Sequence, residues 1–193
     1  MTRQSILVMV ILLIAATACS ALPGDEPGAI VMAPFRREDM GLQGMVPSAC
    51  PQVASGVFGC EALAPGEALL ALVINAHNAP LAELESALLG SLGLAALPPS
   101  VGSYRGRAFA WQRYQLDSEL KDQGLPPSDG GLYRVDLAVA ESGGGTLLVA
   151  MITLPADREA HSAFYEALYN QVLYTLVPLS SEPASRQEGA SHG

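Results

Sequence analysis

The sequence predicts an α+β domain, an antiparallel β-sheet covered on one face by two helices, in the rough order β-β-β-α-β-β-β-α. Three observations carry that class. Strand-length apolar runs come in groups, with helical segments between and after them, which favours an antiparallel sheet over a βαβ repeat. Two of these runs, Leu132–Ala140 and Thr146–Leu154, flank Ser142-Gly143-Gly144-Gly145 and read as a hairpin. Two other segments carry leucines or mixed apolar residues at helical spacing.

The elements follow in chain order. Leu42–Val46 and Gly56–Cys60 are short strand candidates around Pro47 and Pro51. Ala68–Asn75, reading ALLALVIN, is apolar throughout and of strand length, as a buried strand should be. Asn78-Ala79-Pro80 then supplies a cap and an early-helix proline. Leu81, Leu84, Leu88 and Leu92 follow at helical spacing, and the helix should end near Gly93, before Pro98-Pro99. Tyr104–Leu116, reading YRGRAFAWQRYQL, reads as one aromatic strand. Leu132–Ala140 alternates, with Tyr133, Val135, Leu137 and Val139 on one face and Arg134 and Asp136 on the other. Thr146–Leu154 is apolar on both faces. Pro155-Ala156-Asp157 stops it and opens a final helix striped by Ala160, Phe164, Leu168, Val172 and Leu176.

Outside this domain, placed at residues 39–179, the ends differ in character. Residues 1–18 have one basic side chain, Arg3, then an uncharged run from Ser5 to Ala18. That run is shorter than the roughly 20 residues a helix needs to cross a bilayer. A short positive start, a short apolar core and small residues at its end make a secretory signal peptide. Residues 19–38, rich in proline and glycine among mixed charges, read as a lipidated N-terminus and flexible tether. Residues 180–193, rich in Ser, Glu and Gly, read as a disordered tail.

The end of the apolar run admits two processing events at the same bond. Ala16-Thr17-Ala18 is an A-x-A site for ordinary signal peptidase. Ala16-Thr17-Ala18-Cys19 also resembles the lipobox of bacterial lipoproteins, although Ala16 stands where leucine is usual. The resemblance implies that Cys19 is acylated, as with palmitate, and becomes the first mature residue. Either event places the chain on the extracytoplasmic side of a membrane. There are three cysteines, Cys19, Cys50 and Cys60, and an odd thiol in an exported chain needs an explanation. With lipid on Cys19, Cys50 and Cys60 remain as an even pair in an oxidising compartment, and a structural disulfide is the natural reading. Two buried unpaired thiols are the alternative.

Charge narrows the partners. The chain has 10 basic and 19 acidic residues, and removing residues 1–18 takes away only Arg3, leaving a formal net charge of −10. Nucleic acid and anionic headgroups are bound through Lys and Arg clusters, so neither is an expected partner. The expected partners are the membrane, through the N-terminal lipid, and a protein at the cell envelope.

The order of elements, with YRGRAFAWQRYQLD from Tyr104, LYRVDLAVAESGGGTLLVAMITLP from Leu132 and the closing helix to Pro178, resembles the compact α+β domain of the PsbP-like group. That group is known from photosystem accessory lipoproteins and their relatives. It serves mainly as binding or assembly modules, and the resemblance implies such a role here.

No catalytic constellation is legible. Gly102-Ser103-Tyr104-Arg105-Gly106 has the wrong spacing for a nucleophile elbow. There is no H-E-x-x-H motif, and the glycines at 143–145 lack the Lys-Ser/Thr of a phosphate loop. His161 and Glu166, five apart, read as solvated; His77 reads as a loop residue and His192 lies in the tail. The acidic stretch Asp117–Gly131 matches no calcium loop. No metal site and no cofactor is therefore expected.

One surface is a candidate. On a single strand from Tyr104 to Leu116, Arg105, Arg107, Phe109, Trp111 and Arg113 share a face. Phe109 and Trp111 then either pack under the helices or floor a groove rimmed by arginines, suited to a polar or anionic ligand. The reading from sequence is thus a membrane-anchored, non-enzymatic binding or assembly module. The alternative is a small-ligand carrier or sensor using that aromatic and arginine face.

Overall fold

The structure, a computed structural model, describes residues 30–60, 69–91, 96–120 and 131–179. The expected signal peptide, Cys19, most of the tether, His192 and the tail lie outside the described residues. Ten strands are described: β1 (Met32–Arg37), β2 (Leu42–Pro47), β3 (Gln52–Ala54), β4 (Val57–Gly59), β5 (Leu69–His77), β6 (Gly102–Arg105), β7 (Ala110–Ser118), β8 (Tyr133–Ser142), β9 (Gly145–Thr153) and β10 (Val177–Pro178). Helix α1 (Leu81–Ser91) follows β5, and α2 (Pro155–Ala160) and α3 (Ser162–Thr175) follow β9. Seven strands form one antiparallel sheet in the order β3-β4-β5-β9-β8-β7-β6, and β1-β2-β10 form a smaller antiparallel one.

The α+β class and the antiparallel sheet are those the sequence predicts. The distribution of the helices is different. Tyr165, Leu168, Tyr169, Val172 and Leu173 of α3 join Leu72, Ile74, Trp111, Ala138, Val149 and Met151 in one buried cluster. Leu81 and Leu88 of α1 pack against a second cluster, built from Ala71, Leu116, Tyr133, Val135, Leu137, Val139, Leu148 and Ile152. The two clusters lie on opposite faces of the large sheet, because successive side chains of β8 and β9 alternate between them. This explains why β9 is apolar on both faces: every second residue serves a different core.

Three boundaries are corrected. Met32–Arg37, assigned to the tether, forms β1 and pairs with β2 from Met32↔Pro47 to Arg37↔Leu42. Pro34 did not forbid a strand, because β1 is an edge strand whose missing N–H interrupts no central ladder. The final helix is two helices, broken at His161 (φ −118°, ψ 35°).

The third correction falls on Tyr104–Leu116. That segment is a hairpin, β6 and β7, in the register Gly102↔Arg113 to Arg105↔Ala110. The Gly106 N–H donates to the Phe109 carbonyl at 2.9 Å, and the Arg107 N–H donates to the Tyr174 carbonyl at 3.3 Å. A Cβ on Gly106 would stand 2.7 Å from the Leu173 carbonyl oxygen, so only glycine lets this turn lie against the end of α3.

Cys50 and Cys60 are joined by a disulfide. It ties the segment before β3 to the residue after β4, and Cys50 lies within the α3-side core.

Candidate functional site

Breaking the segment at Gly106 takes Arg105 and Arg107 away from the face that carries Trp111 and Arg113. Arg107 is exposed in the turn. Phe109 and Trp111 are buried, Trp111 to 1% exposure, and meet edge to face at 5.6 Å. The structure therefore makes no open groove floored by Trp111 and Phe109. Their faces are taken by the helix-side core, where burying aromatic surface gives its largest return. Of the four residues expected to bind a ligand (Trp111, Arg107, Arg113 and Phe109), Arg113 lines a cleft, whereas Trp111 and Phe109 are core and Arg107 is exposed in the turn.

That cleft has a volume of about 520 Å³ and lies between β6, β7 and β8 on one side and α2 and α3 on the other. Strand alternation builds its floor. Trp111, Arg113, Gln115 and Asp117 of β7 share one face of the sheet, alongside Arg134, Asp136, Ala138 and Ala140 of β8. Trp111 and the two alanines lie under α3 in the core. Further along the same face the residues become polar, and Gln115 stands directly opposite Asp136, and Asp117 opposite Arg134.

The polar groups form a chain of ion pairs. The Arg113 guanidinium donates to both carboxylate oxygens of Glu166, with Nη2 at 2.8 Å from Oε2, and Nη1 also reaches Asn170 Oδ1 at 3.3 Å. It sits 5.3 Å from the centre of the Tyr169 ring. Arg158 donates from Nε to Asp136 Oδ2 at 2.9 Å and from Nη2 to Asp136 Oδ1 at 3.4 Å. Its Nη1 donates to the Ser162 carbonyl at 3.1 Å, and its Nη2 approaches Glu166 Oε2 at 3.5 Å. Gln115 Nε2 donates to Asp136 Oδ1 at 2.8 Å. Arg134 holds Asp117, closing the edge of the cluster.

Burial grades the four central charges. The side chains of Asp136 and Arg158 are 3% and 7% exposed, that of Arg113 is 13%, and that of Glu166 is 42%. A buried carboxylate is tolerable only when paired and hydrogen-bonded, and Asp136 has both an arginine and an amide. The hydrogen bonds from Arg113 hold the Glu166 carboxyl below its usual range, against the opposing effect of burial. The same contact raises Arg113, also against burial. Burial pushes the Tyr169 phenol well above its ordinary value, and its hydroxyl donates to the Val149 carbonyl at 2.6 Å.

Glu166, read from sequence as solvated, is thus the outer carboxylate that bridges Arg113 and Arg158. His77 ends β5 rather than lying in a loop, half-buried, and burial lowers its pKa. Asp117 belongs to β7 and pairs with Arg134, so it is not part of an acidic loop. Asp136, Arg158 and Gln115 belong to the site although no sequence motif marks them. The available signal was an Asp in the middle of a strand, on the same face as Ala138 and Ala140. Small residues there leave room for something to cover that face. Among the described residues, no three His, Cys, Asp or Glu side chains come together to hold a metal ion.

No family model matches the chain, and no curated protein matches it. Among solved structures, the chain is similar to the solution structure of cyanobacterial PsbP from Synechocystis sp. PCC 6803. The identity there is 9%, over 82% of this chain and 98% of that one, with a TM-score of 0.48. It is also similar to the crystal structure of a protein of unknown function from Pseudomonas aeruginosa, at 15% identity over 72% of this chain and 94% of that one, with a TM-score of 0.39. Both are likenesses of backbone course at low identity.

Proposed function

We propose that the protein is an extracytoplasmic lipoprotein, held at a bacterial membrane by acyl chains on Cys19, whose domain is a non-enzymatic binding or assembly module. The observation that carries the anchor is the arithmetic of the cysteines. Cys50 and Cys60 are bonded to each other, so Cys19 is the remaining one of three, and it stands directly after an apolar run ending in Ala16-Thr17-Ala18. An acidic domain has no electrostatic attraction to anionic headgroups, so retention at the membrane must come from lipid. One acyl chain gives marginal, reversible binding, and two hold stably.

The reading as a module is supported by how the cleft is built. Arg113, Arg158, Asp136 and Glu166 neutralise one another in pairs, an arrangement that holds shape and charge rather than activating a nucleophile. A protein partner at the envelope and the membrane itself are the partners proposed. Labelling cells with an alkyne fatty acid tests the anchor. Wild type should label and sediment with membranes, and Cys19→Ser should do neither. Release of unlabelled wild type into the soluble extracytoplasmic fraction would remove the anchor and leave only export.

A further inference from the structure

We propose that the cleft between β6–β8 and α2–α3 is a binding site for a small carboxylate, with Arg113 and Arg158 as its cationic floor and Glu166 as an internal stand-in for the ligand. This gives the binding module a ligand class; it rests on that part of the proposed function and is independent of the lipid anchor.

Beneath Glu166 the cleft holds two guanidinium groups and one carboxylate, that of Asp136, which is fully engaged by Arg158 and Gln115. Swing Glu166 out, and the floor carries a net single positive charge at the base of a cleft of about 520 Å³. A cation left that way in a partly desolvated site demands an anion.

Arg158 is held without Glu166, by Asp136 and the Ser162 carbonyl; Arg113 keeps Asn170 Oδ1 and the Tyr169 ring, and the Asn170 amide in turn donates to Glu166 Oε1 at 3.1 Å. Glu166 is the exposed partner, with 42% of its side chain open to solvent against 13% and 7% for the arginines. Arg158 therefore stays in place when the carboxylate leaves, Arg113 retains Asn170 and the Tyr169 ring, and preorganisation of this kind lowers the cost of binding.

Arg113 grips both oxygens of Glu166 in the parallel fork that suits a planar carboxylate. Around that point the walls offer Gln115 and Ser162 for the remaining polar groups of a ligand and Val101, 60% exposed, for an aliphatic stem. The occupant fitting these groups is a short aliphatic carboxylate, and the internal Glu166 competes with it.

Competition makes the test direct. Equilibrium dialysis of the full-length protein in detergent micelles against radiolabelled succinate should show weak, saturable binding to wild type. Glu166→Ala, which removes the competitor from an exposed position, should bind succinate at least tenfold more tightly. Arg113→Lys keeps the charge and loses the fork; combined with Glu166→Ala, it should abolish the gain while the far-ultraviolet circular dichroism stays native. Equal affinity of wild type and Glu166→Ala would overturn the proposal. So would retention of binding in the Arg113→Lys double variant, or displacement of succinate by inorganic phosphate as readily as by unlabelled succinate. Fatty-acid labelling at Cys19 with no succinate gain would leave the anchor and remove this site; the reverse result would remove the anchor and leave the site.

Discussion

Glu166 accepts hydrogen bonds from Arg113 through both oxygens, approaches Arg158, and still has the most exposed side chain of the four central charges. Those contacts hold its carboxyl below the ordinary value of about 4.5, with Arg113 the largest cause. Between the folded and the ordinary pKa, the unfolded chain binds more protons at this residue than the folded chain does. The contribution to stability is therefore complete above the ordinary value and is lost as pH falls through the folded one. Urea midpoints of wild type should fall on acidification from about pH 5 to about pH 3. Glu166→Gln, which keeps the shape and discards the titration, should show a shallower fall over the same interval. Because Glu166 is well exposed, solvent screening keeps the effect modest. Parallel slopes for the two proteins would mean that the ion pair is not populated in solution.

Among the elements, β3 and β4 depend most on a covalent constraint, since each is only three residues long. The Cys50–Cys60 bond brackets them, and closing a loop of this size restricts the unfolded chain by roughly 3 kcal/mol on the chain-entropy estimate. Replacing both cysteines by alanine should lower the unfolding free energy by about 2–4 kcal/mol. Adding reductant to wild type should move its urea curve towards the variant's, and an unmoved curve would show the bond absent in solution. The same elements show what sequence can and cannot disclose. The β8–β9 hairpin was legible because local chemistry decides it: alternation on β8, then a run of glycines. Helix α1 was legible from its capping segment and leucine spacing. The break in Tyr104–Leu116 was not, because the reason for glycine at 106 is the Leu173 carbonyl, from the far end of the domain. The site divides in the same way. Arg113 stood out on its strand, but the Asp136–Arg158 pair joins β8 to α2, and no local pattern announces a contact that tertiary packing creates.

At the scale of the molecule, the two hydrophobic clusters share one sheet. Ala138, Ala140, Val149 and Met151 face α3, while Val135, Leu137, Leu148 and Ile152, from the same two strands, face the cluster that α1 covers. The smaller sheet is fastened to the α3 side: Leu42 and Val46 of β2 enter that core, and the Met45 N–H donates to Thr175 Oγ1 at 3.0 Å. Stripping either face leaves β8 and β9 with the other face packed but half of their apolar surface in water. Uncovering one cluster therefore weakens the strands on which the other is built, and both should melt together as a small two-state domain does. Two probes report separately. Trp111, the single tryptophan, lies in the α3-side cluster, and a methyl resonance of Leu137 reports on the opposite one. With the disulfide intact, Trp111 fluorescence and the Leu137 methyl signal should lose their native values at the same urea concentration, with the same steepness, and far-ultraviolet circular dichroism should follow the same curve. Loss of the Leu137 signal at lower urea, with Trp111 still buried, would show that the α1 side opens by itself. The sheet would then be a platform with one permanent cover and one removable one.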